Sequence, residues 1–285
     1  MTRALSARMC SIKDIRRLRA FSGAGKSGPV LPKGVAGSPG TVGGVGGEWI
    51  RPPDCPPDAA ILYLHGGAWT LGWYDSHRRL VGQLCRDSGL AAFAADYRLA
   101  PEHPFPAAPE DCLAAYRGLL ASGIPASRLA LAGDSAGGNL VLATLMAARD
   151  SGDPLPAAAV CISPMIDLLA TGESFGAGGD ALLDAGFAME NVRRYLGGAD
   201  PRDPRASPYY GDLSGLPPLL VQAGGDEILL SDARRLEAMA RAAGVQAELS
   251  VWPGMWHVWH TFAPWMKEAA DAIAQAARFI RSRIG

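Results

Sequence analysis

The sequence lacks any long hydrophobic run. Among its 285 residues, no stretch approaches the roughly 18 uninterrupted apolar residues that a membrane-spanning helix needs. The basic segment 1–20 lacks the apolar core of a secretory signal. An excess of either charge is also missing, because 27 Lys and Arg stand against 28 Asp and Glu, which gives a formal net charge of -1. We therefore expect a cytoplasmic protein that neither binds nucleic acid nor inserts stably into a membrane.

Cysteine pairs and metal-binding spacings are missing as well. Five cysteines are scattered without a Cys-x-x-Cys pair, so we expect free thiols. No His-Glu-x-x-His motif or Cys/His spacing indicates a metal. The glycine-rich run at 23–28 matches Gly-x-Gly-x-x-Gly and contains Gly-Lys-Ser, but it follows a basic helical stretch rather than a strand. Ala20 also occupies the place of the first P-loop glycine. We expect no nucleotide, metal or other cofactor.

From Glu48 onwards, short apolar runs alternate with longer helical stretches. Strands are predicted at 59–64, 90–95, 128–132, 157–162, 218–223 and 246–252, and helices at 76–88, 107–121, 137–150, 231–243 and 264–283. Continuous apolar strands separated by helices indicate a mostly parallel sheet that is buried on both faces. The sequence therefore predicts a single α/β domain over residues 1–285.

Three segments fall outside this alternation. Residues 1–22 are predicted to be helical, with an arginine-rich face, and residues 23–47 are rich in Gly, Pro and Ser, which is typical of a flexible crossing segment. Residues 165–210 separate two strands by more than a simple crossover requires and include a helical patch at 187–196. We interpret this last segment as an excursion above the sheet.

A candidate nucleophile lies between a predicted strand and a predicted helix. Gly133-Asp134-Ser135-Ala136-Gly137 matches Gly-x-Ser-x-Gly, the turn that presents a serine above the sheet of an α/β-hydrolase. Glycines flank the serine because Cβ atoms there would collide with the neighbouring chain. The motif alone could arise by chance among 35 glycines. Its position between strand and helix favours Ser135 as a nucleophile.

A second loop at a strand end could bind a developing negative charge. The predicted strand 59–64 ends in His65-Gly66-Gly67-Ala68-Trp69. Acyl transfer needs N–H donors aimed at the oxyanion, and we predict those of Gly66, Gly67 and Ala136. A simple Gly-Gly turn is the alternative, but the sites of open α/β sheets lie at the carboxyl ends of their strands. His65 is expected to brace this loop.

Two histidines follow Ser135 and could serve as its general base. His257 comes first after the Pro253-Gly254 turn, and His260 lies one helical turn further on. We favour His257, because the base must sit in the loop above the sheet. His260 is expected to be a packing residue or a residue that supports the site from behind.

Two adjacent carboxylates could complete a catalytic triad. Asp226 and Glu227 both follow the predicted strand 218–223, in the chain order Ser, acid, His that α/β-hydrolases share. Either could orient the histidine and stabilise its protonated form. Asp232 fits better as a residue of a helix N-terminus.

These motifs resemble those of the hormone-sensitive-lipase-like bacterial carboxylesterases, a group within the α/β-hydrolase fold. The resemblance covers about residues 48–283. It rests on HGGAW (65–69), DYRLAPEHPFPAAPED (96–111), GDSAGG (133–138), SPYYGDLSGLPPLLVQAG (207–224) and the late histidine loop. Members usually carry Asp-Pro-Leu after the strand, with that Asp as the triad acid. The equivalent position here is Glu227, so the resemblance favours Glu227 over Asp226.

The resemblance also implies a helical cap, built here from about residues 1–45 and 165–210. Such a cap shapes an acyl pocket, and five side chains are candidates for its wall: Trp69, Met165, Phe187, Tyr195 and Trp256. Similar proteins often form dimers through the last strand and helix, which suggests a homodimer here.

The resemblance implies a cofactor-free serine esterase whose substrates are small molecules. It would hydrolyse short-chain acyl esters through an acyl-enzyme. The same machinery would serve a deacetylase, an amidase or a lactone hydrolase. A catalytically silent small-molecule receptor on the same fold is the alternative from another class. The presence of serine, histidine and acid argues against it.

Overall fold

The computed structural model describes residues 12, 14–23, 30–177 and 179–284. Its strands are β1 (Ala36–Val42), β2 (Val45–Arg51), β3 (Ala60–Leu64), β4 (Ala91–Ala95), β5 (Leu129–Asp134), β6 (Ala158–Ile162), β7 (Leu219–Gly224) and β8 (Ala247–Trp252). They form one eight-stranded sheet in the order β1-β2-β4-β3-β5-β6-β7-β8. The β1–β2 and β2–β4 pairs are antiparallel and all other pairs are parallel, as the apolar strand pattern predicted.

Helices cover both faces of this sheet. They are α1 (Ile15–Gly23), α2 (Asp75–Ser88), α3 (Ala107–Ala121), α4 (Ala136–Asp150), α5 (Ala185–Leu196), α6 (Leu230–Ala242) and α7 (Lys267–Arg281). Neighbouring residues of β3 serve opposite faces, because side chains alternate along a strand. Leu62 belongs to the core cluster that includes residues of α3, α4 and α6, whereas Ile61 belongs to the cluster that includes residues of α2 and α7. Every residue of β3 to β7 is therefore buried.

The N-terminal part of the sheet departs from the sequence prediction. The prediction of a flexible segment over 23–47 is wrong for the later part of that range, because residues 36–51 form the β1–β2 hairpin at one edge of the sheet. The turn at Gly43-Gly44 has positive φ at both residues, 59° and 82°, as a two-residue hairpin loop requires. Residues 36–45 thus lie in the sheet and not in a cap, which shortens the predicted N-terminal cap segment. Residues 1–11, 13 and the glycine-rich 24–29 lie outside the described residues.

The long insertion between β6 and β7 lies against loops at the carboxyl ends of the strands. Helix α5, which contains the predicted patch 187–196, packs on the loop after β3 through a hydrogen bond from Thr70 Oγ1 to Asn191 Oδ1 at 2.8 Å. The N-terminal helix α1 reaches the same loop, where Arg19 donates to the Thr70 carbonyl oxygen and pairs with Glu102. Both segments therefore border the edge of the sheet that carries the candidate site.

Within the described ranges, no helix has the length and apolar character that crossing a bilayer demands.

Candidate active site

Ser135 occupies a sharp turn between β5 and α4. Its backbone has φ 55° and ψ −119°, a conformation rare for a residue with a side chain. The N–H of Ser135 donates to the Ile162 carbonyl oxygen at 2.8 Å, which anchors the turn to β6. A Cβ atom on Gly137 would collide with the Leu64 carbonyl oxygen. The turn thus needs glycine, as predicted, and it holds Ser135 at the carboxyl edge of the sheet and the start of a helix.

The histidine that reaches Ser135 is His257. Its Nε2 lies 2.9 Å from Ser135 Oγ, within hydrogen-bond distance. The residue follows β8 and is brought there by the turn after Trp252. His260 is buried elsewhere, with its Nε2 at 3.0 Å from Gln222 Oε1. The structure therefore brings only the first of these two histidines to the serine.

The carboxylate next to His257 is that of Glu227. Its Oε2 lies 4.0 Å from His257 Nδ1 and accepts a hydrogen bond from Ser163 Oγ at 2.6 Å. Asp226 is exposed, and its N–H donates to the Met255 carbonyl oxygen at 2.9 Å. Among the described residues, neither Nδ1 of His257 nor Oε1 of Glu227 has a hydrogen-bond partner. The distance of 4.0 Å between Nδ1 and Oε2 is longer than a hydrogen bond.

Burial dominates the electrostatics of this pair. It raises the pKa of Glu227 to about 8, with the negative charges of Asp180 and Asp232 acting in the same direction and the hydrogen bond from Ser163 against it. Burial lowers the pKa of His257, which the negative charges of Asp180 and Asp134 oppose. His257 is therefore neutral near physiological pH and able to accept a proton.

One of the predicted oxyanion donors is already occupied. The N–H of Gly66 donates to Asp134 Oδ1 at 3.0 Å, and the hydroxyl of Tyr63 donates to the same oxygen at 2.7 Å. The prediction that Gly66 stabilises an oxyanion is therefore wrong, because a donor bound to a buried carboxylate cannot turn to a substrate. Beyond it, the loop turns through positive φ at Gly67 and Ala68. The hydrogen bond from Gly66 N–H to Asp134 fixes this loop to the turn that carries Ser135.

His65 supports this loop from within the core. Its Nδ1 lies 2.7 Å from the Gly66 carbonyl oxygen, and its ring stacks on Tyr97 with centroids 4.4 Å apart. Burial lowers the pKa of His65 to about 4, so the ring is neutral and its Nδ1–H donates to that oxygen. This geometry agrees with the expected bracing role.

Comparison with known proteins identifies the family. A model of the alpha/beta hydrolase fold matches residues 61–261. The chain belongs to the α/β-hydrolase family. This hydrolase is 49% identical over 247 residues to an acetyl-hydrolase of Streptomyces hygroscopicus, covering 86% of this chain and 82% of that protein. It is 38% identical over 242 residues to an esterase of Acinetobacter venetianus, covering 84% and 80%.

A solved structure places the hydrolase within a narrower group. It superposes on an esterase of the bacterial hormone-sensitive lipase family with a TM-score of 0.95 at 46% identity, covering 100% of this chain and 97% of that one. The predicted fold and family, a hormone-sensitive-lipase-like bacterial esterase, are thereby confirmed. The predicted enzyme class, a carboxylic ester hydrolase, agrees with the names of these relatives.

The five predicted pocket residues of the hydrolase fall into two sets. Trp69 and Tyr195 are each 1% exposed and stack on one another with ring centroids 4.4 Å apart, so they pack as core between the loop after β3 and α5. The other three border the site or the insertion. Met165 N–H lies 3.5 Å from the Ser135 carbonyl oxygen, Trp256 precedes the base and is half-buried, and Phe187 is half-buried in the first turn of α5.

Sequence reasoning missed residues that support the hydrolase site. Ser163 follows β6, so the rule that sites gather at the carboxyl ends of strands could have indicated it. Besides donating to Glu227, its Oγ accepts from Val258 N–H at 3.3 Å. Asp232 was interpreted only as a helix N-terminal residue, but its buried carboxylate also accepts from the N–H groups of Ile166 and Asp167. Asp180 gives no sequence signal for the site, because its contacts with Ile228 and His257 are distant along the chain.

In the portion of the hydrolase that the structure describes, no group of three or more His, Cys, Asp or Glu side chains is arranged to hold a metal ion.

Proposed function

We propose that this carboxylic ester hydrolase cleaves short-chain acyl esters through an acyl-enzyme on Ser135. In this proposal His257 is the general base and Glu227 is the acid of the triad. The observation that carries the proposal is the distance of 2.9 Å between His257 Nε2 and Ser135 Oγ, at a strained turn that exposes the hydroxyl to the edge of the sheet.

Acylation begins when Ser135 Oγ attacks the ester carbonyl carbon and its proton passes to His257 Nε2. The carbonyl oxygen becomes the oxyanion of a tetrahedral intermediate. When this intermediate collapses, the bond to the leaving oxygen breaks, and His257 gives its proton to the departing alcohol. In deacylation a water molecule gives a proton to His257 and attacks the acyl carbon. The bond from that carbon to Ser135 Oγ then breaks, His257 returns the proton to Oγ, and the acid is released.

The oxyanion is stabilised in this proposal by the N–H groups of Gly67 and Ala136. Ala136 opens α4, so its N–H is one of the free donors of a helix N-terminus. Because Gly66 N–H is held by Asp134, we propose Ala68 as the third donor, since it is the next amide beyond Gly67. Losing one such donor costs about 10²–10³ in kcat.

Glu227 is proposed as the acid because it is buried beside His257 Nδ1. When His257 takes up the serine proton, a carboxylate at this place offsets the positive charge of the imidazolium. Its hydrogen bond from Ser163 fixes its orientation. Asp226 is exposed and its carboxylate is therefore screened by water.

The preference for short acyl chains rests on the insertion 165–210 as a cap, together with the name of the acetyl-hydrolase relative. Met165 and Trp256 adjoin the triad and are the residues we propose for the pocket wall.

The test is a panel of p-nitrophenyl esters of increasing acyl length, with amides and lactones included. We expect the highest kcat/KM for acetyl and butyryl esters, and a loss of about 10³-fold or more in Ser135→Ala. His257→Gln should lose activity similarly, whereas His260→Gln is the matched control from the same loop. Near-full hydrolysis by Ser135→Ala would refute the mechanism, and kcat/KM that rises steadily with chain length would refute the short-chain preference.

A further inference from the structure

Asp180 is a carboxylate of the insertion that reaches the loops carrying the proposed base and acid. Its Oδ1 accepts from the N–H groups of Leu182 at 2.9 Å and Leu183 at 3.2 Å, just before α5. The same oxygen accepts from His257 N–H at 3.4 Å. Its Oδ2 accepts from Ile228 N–H at 3.2 Å, one residue after Glu227. One half-buried side chain therefore accepts from four backbone N–H groups in three separate segments.

Other hydrogen bonds also join these three segments, but each of them joins only two. Ser174 Oγ donates to the Ile228 carbonyl oxygen at 2.7 Å, which joins the insertion to the loop of Glu227. Asp226 N–H donates to the Met255 carbonyl oxygen at 2.9 Å, which joins the loops after β7 and β8. Each of these bonds links two segments. The carboxylate of Asp180 links all three and binds the N–H of the catalytic histidine itself.

We propose that Asp180 is a positioning residue for the triad: it fixes the main chain at His257 and beside Glu227, and it keeps a negative charge near His257. This inference rests on the proposed function, because it presupposes that His257 acts as the base. It assigns to the insertion a part in catalysis in addition to covering the pocket.

The charge of Asp180 matters for the protonation of His257, because the other carboxyl groups near this histidine are buried. Glu227 lies 4.0 Å from Nδ1, but its burial raises its pKa to about 8, so near neutral pH it holds its proton more readily than an ordinary carboxyl. Asp134, at the end of β5, is buried and shares its charge with Tyr63 and Gly66.

Two other neighbours of His257 carry no negative charge. Ser135 presents a hydroxyl, and His260 is neutral because burial lowers its pKa to about 3. The negative charges of Asp180 and Asp134 raise the pKa of His257, against the lowering effect of its burial. The charge of Asp180 therefore helps to stabilise the imidazolium that forms in both half-reactions.

The experiment compares Asp180→Asn with Asp184→Asn. Asp184 is the matched control, because it belongs to the same insertion, is exposed, and its side chain accepts a local bond from Phe187 N–H at the start of α5. The kcat/KM for p-nitrophenyl acetate is measured across pH for both variants and the wild type. In parallel, the ring of His257 is titrated by NMR, which reports its protonation without any substrate.

For Asp180→Asn we expect kcat/KM to fall about 10- to 100-fold, since small misplacements of catalytic groups cost this much, and kcat to fall more than KM rises. The acid limb of the pH profile and the NMR titration of His257 should both move to lower pH. Asp184→Asn should match the wild type in all of these readings. A lower kcat/KM with an unmoved titration of His257 would show a structural role only and overturn the proposal, as would wild-type behaviour.

Asp180→Glu provides a second variant in case the first is poorly folded. It retains the charge but displaces it by one methylene, so we expect a lower kcat with the acid limb near that of the wild type. An acid limb that shifts equally in Asp180→Glu and Asp180→Asn would overturn the role of the charge. The NMR titration also separates this inference from the proposed function: if Ser135→Ala retained full activity, the proposed mechanism would fail while the effect of Asp180 on His257 could still be measured.

Discussion

Replacing each of the two adjacent carboxylates after β7 by its amide tests the assignment of the triad acid. Glu227→Gln keeps the volume of the side chain and an oxygen that can accept from Ser163. It removes the ionisable carboxyl group and can direct an N–H group towards His257 Nδ1, which favours the wrong tautomer of the ring. Asp226→Asn makes the same chemical change at an exposed position.

The size of the effect follows from the geometry. In serine hydrolases, an acid-to-amide change in the triad lowers kcat by about 10⁴-fold. Two features reduce the loss here: Glu227 Oε2 is 4.0 Å from Nδ1, which is longer than a hydrogen bond, and the charge of Asp180 remains nearby. We therefore expect kcat/KM of Glu227→Gln to fall about 10²–10³-fold, which corresponds to about 3–4 kcal/mol of transition-state stabilisation. Asp226→Asn should stay within about twofold of the wild type, as surface substitutions generally do.

The assay is the initial rate of p-nitrophenyl acetate hydrolysis, with active-site concentration determined by burst titration. Correct folding of each variant is checked by thermal unfolding. If Asp226→Asn abolished turnover while Glu227→Gln retained most of it, the assignment of the acid would be refuted.

Three further predictions follow from burial and backbone geometry. Burial lowers the pKa of His257, so the acid limb of kcat/KM should have its midpoint below the ordinary histidine value of about 6.5, and a midpoint at or above it would contradict the proposed environment. The pKa of Glu227 is raised from 4.5 to about 8, so the folded protein holds a proton that the unfolded chain has lost, and this carboxyl reduces stability increasingly as pH rises through that interval. The free energy of unfolding of Glu227→Gln should therefore rise relative to that of the wild type as pH rises, by on the order of a few kcal/mol in all, whereas a pH-independent difference would contradict this. Gly137→Ala should destabilise the fold by about 3 kcal/mol or more in denaturant unfolding, because the new Cβ meets the Leu64 carbonyl oxygen. Gly46 has open space around it, so Gly46→Ala should change the free energy of unfolding by less than about 0.5 kcal/mol. Equal effects of the two substitutions would refute this reasoning.

Local sequence patterns predicted the parts of the fold and site that depend on nearby residues. The buried strands β3 to β7 are almost continuously apolar, and the turn at Ser135 is framed by glycines that its backbone requires. Its position as the first histidine in the loop after the last strand favours His257, whereas the residues alone leave Asp226 and Glu227 open and only the family resemblance favours Glu227. The structure places the side chains of His257 and Glu227 beside one another and His257 beside Ser135.

Other features could not be predicted, because they depend on contacts between distant parts of the chain. The strands β1 and β2 contain so many glycines that no alternation of apolar and polar residues is visible, although Trp49 of β2 packs on Phe93 of β4. The engagement of Gly66 N–H requires the carboxylate of Asp134, which is far away in sequence. Asp180 lies in an irregular segment whose composition resembles an ordinary loop, and only the three-dimensional structure shows which amides it binds.

The central claim is that Ser135 attacks the acyl carbon and carries the acyl group. The most direct measurement is mass spectrometry of the protein after incubation with a serine-directed phosphonate, followed by peptide mapping. The proposed mechanism predicts one phosphonyl adduct, located on the peptide that contains Ser135, with labelling abolished in Ser135→Ala and slowed strongly in His257→Gln. An active wild-type enzyme that remains unlabelled, or that is labelled on another residue while Ser135→Ala still hydrolyses esters, would contradict it.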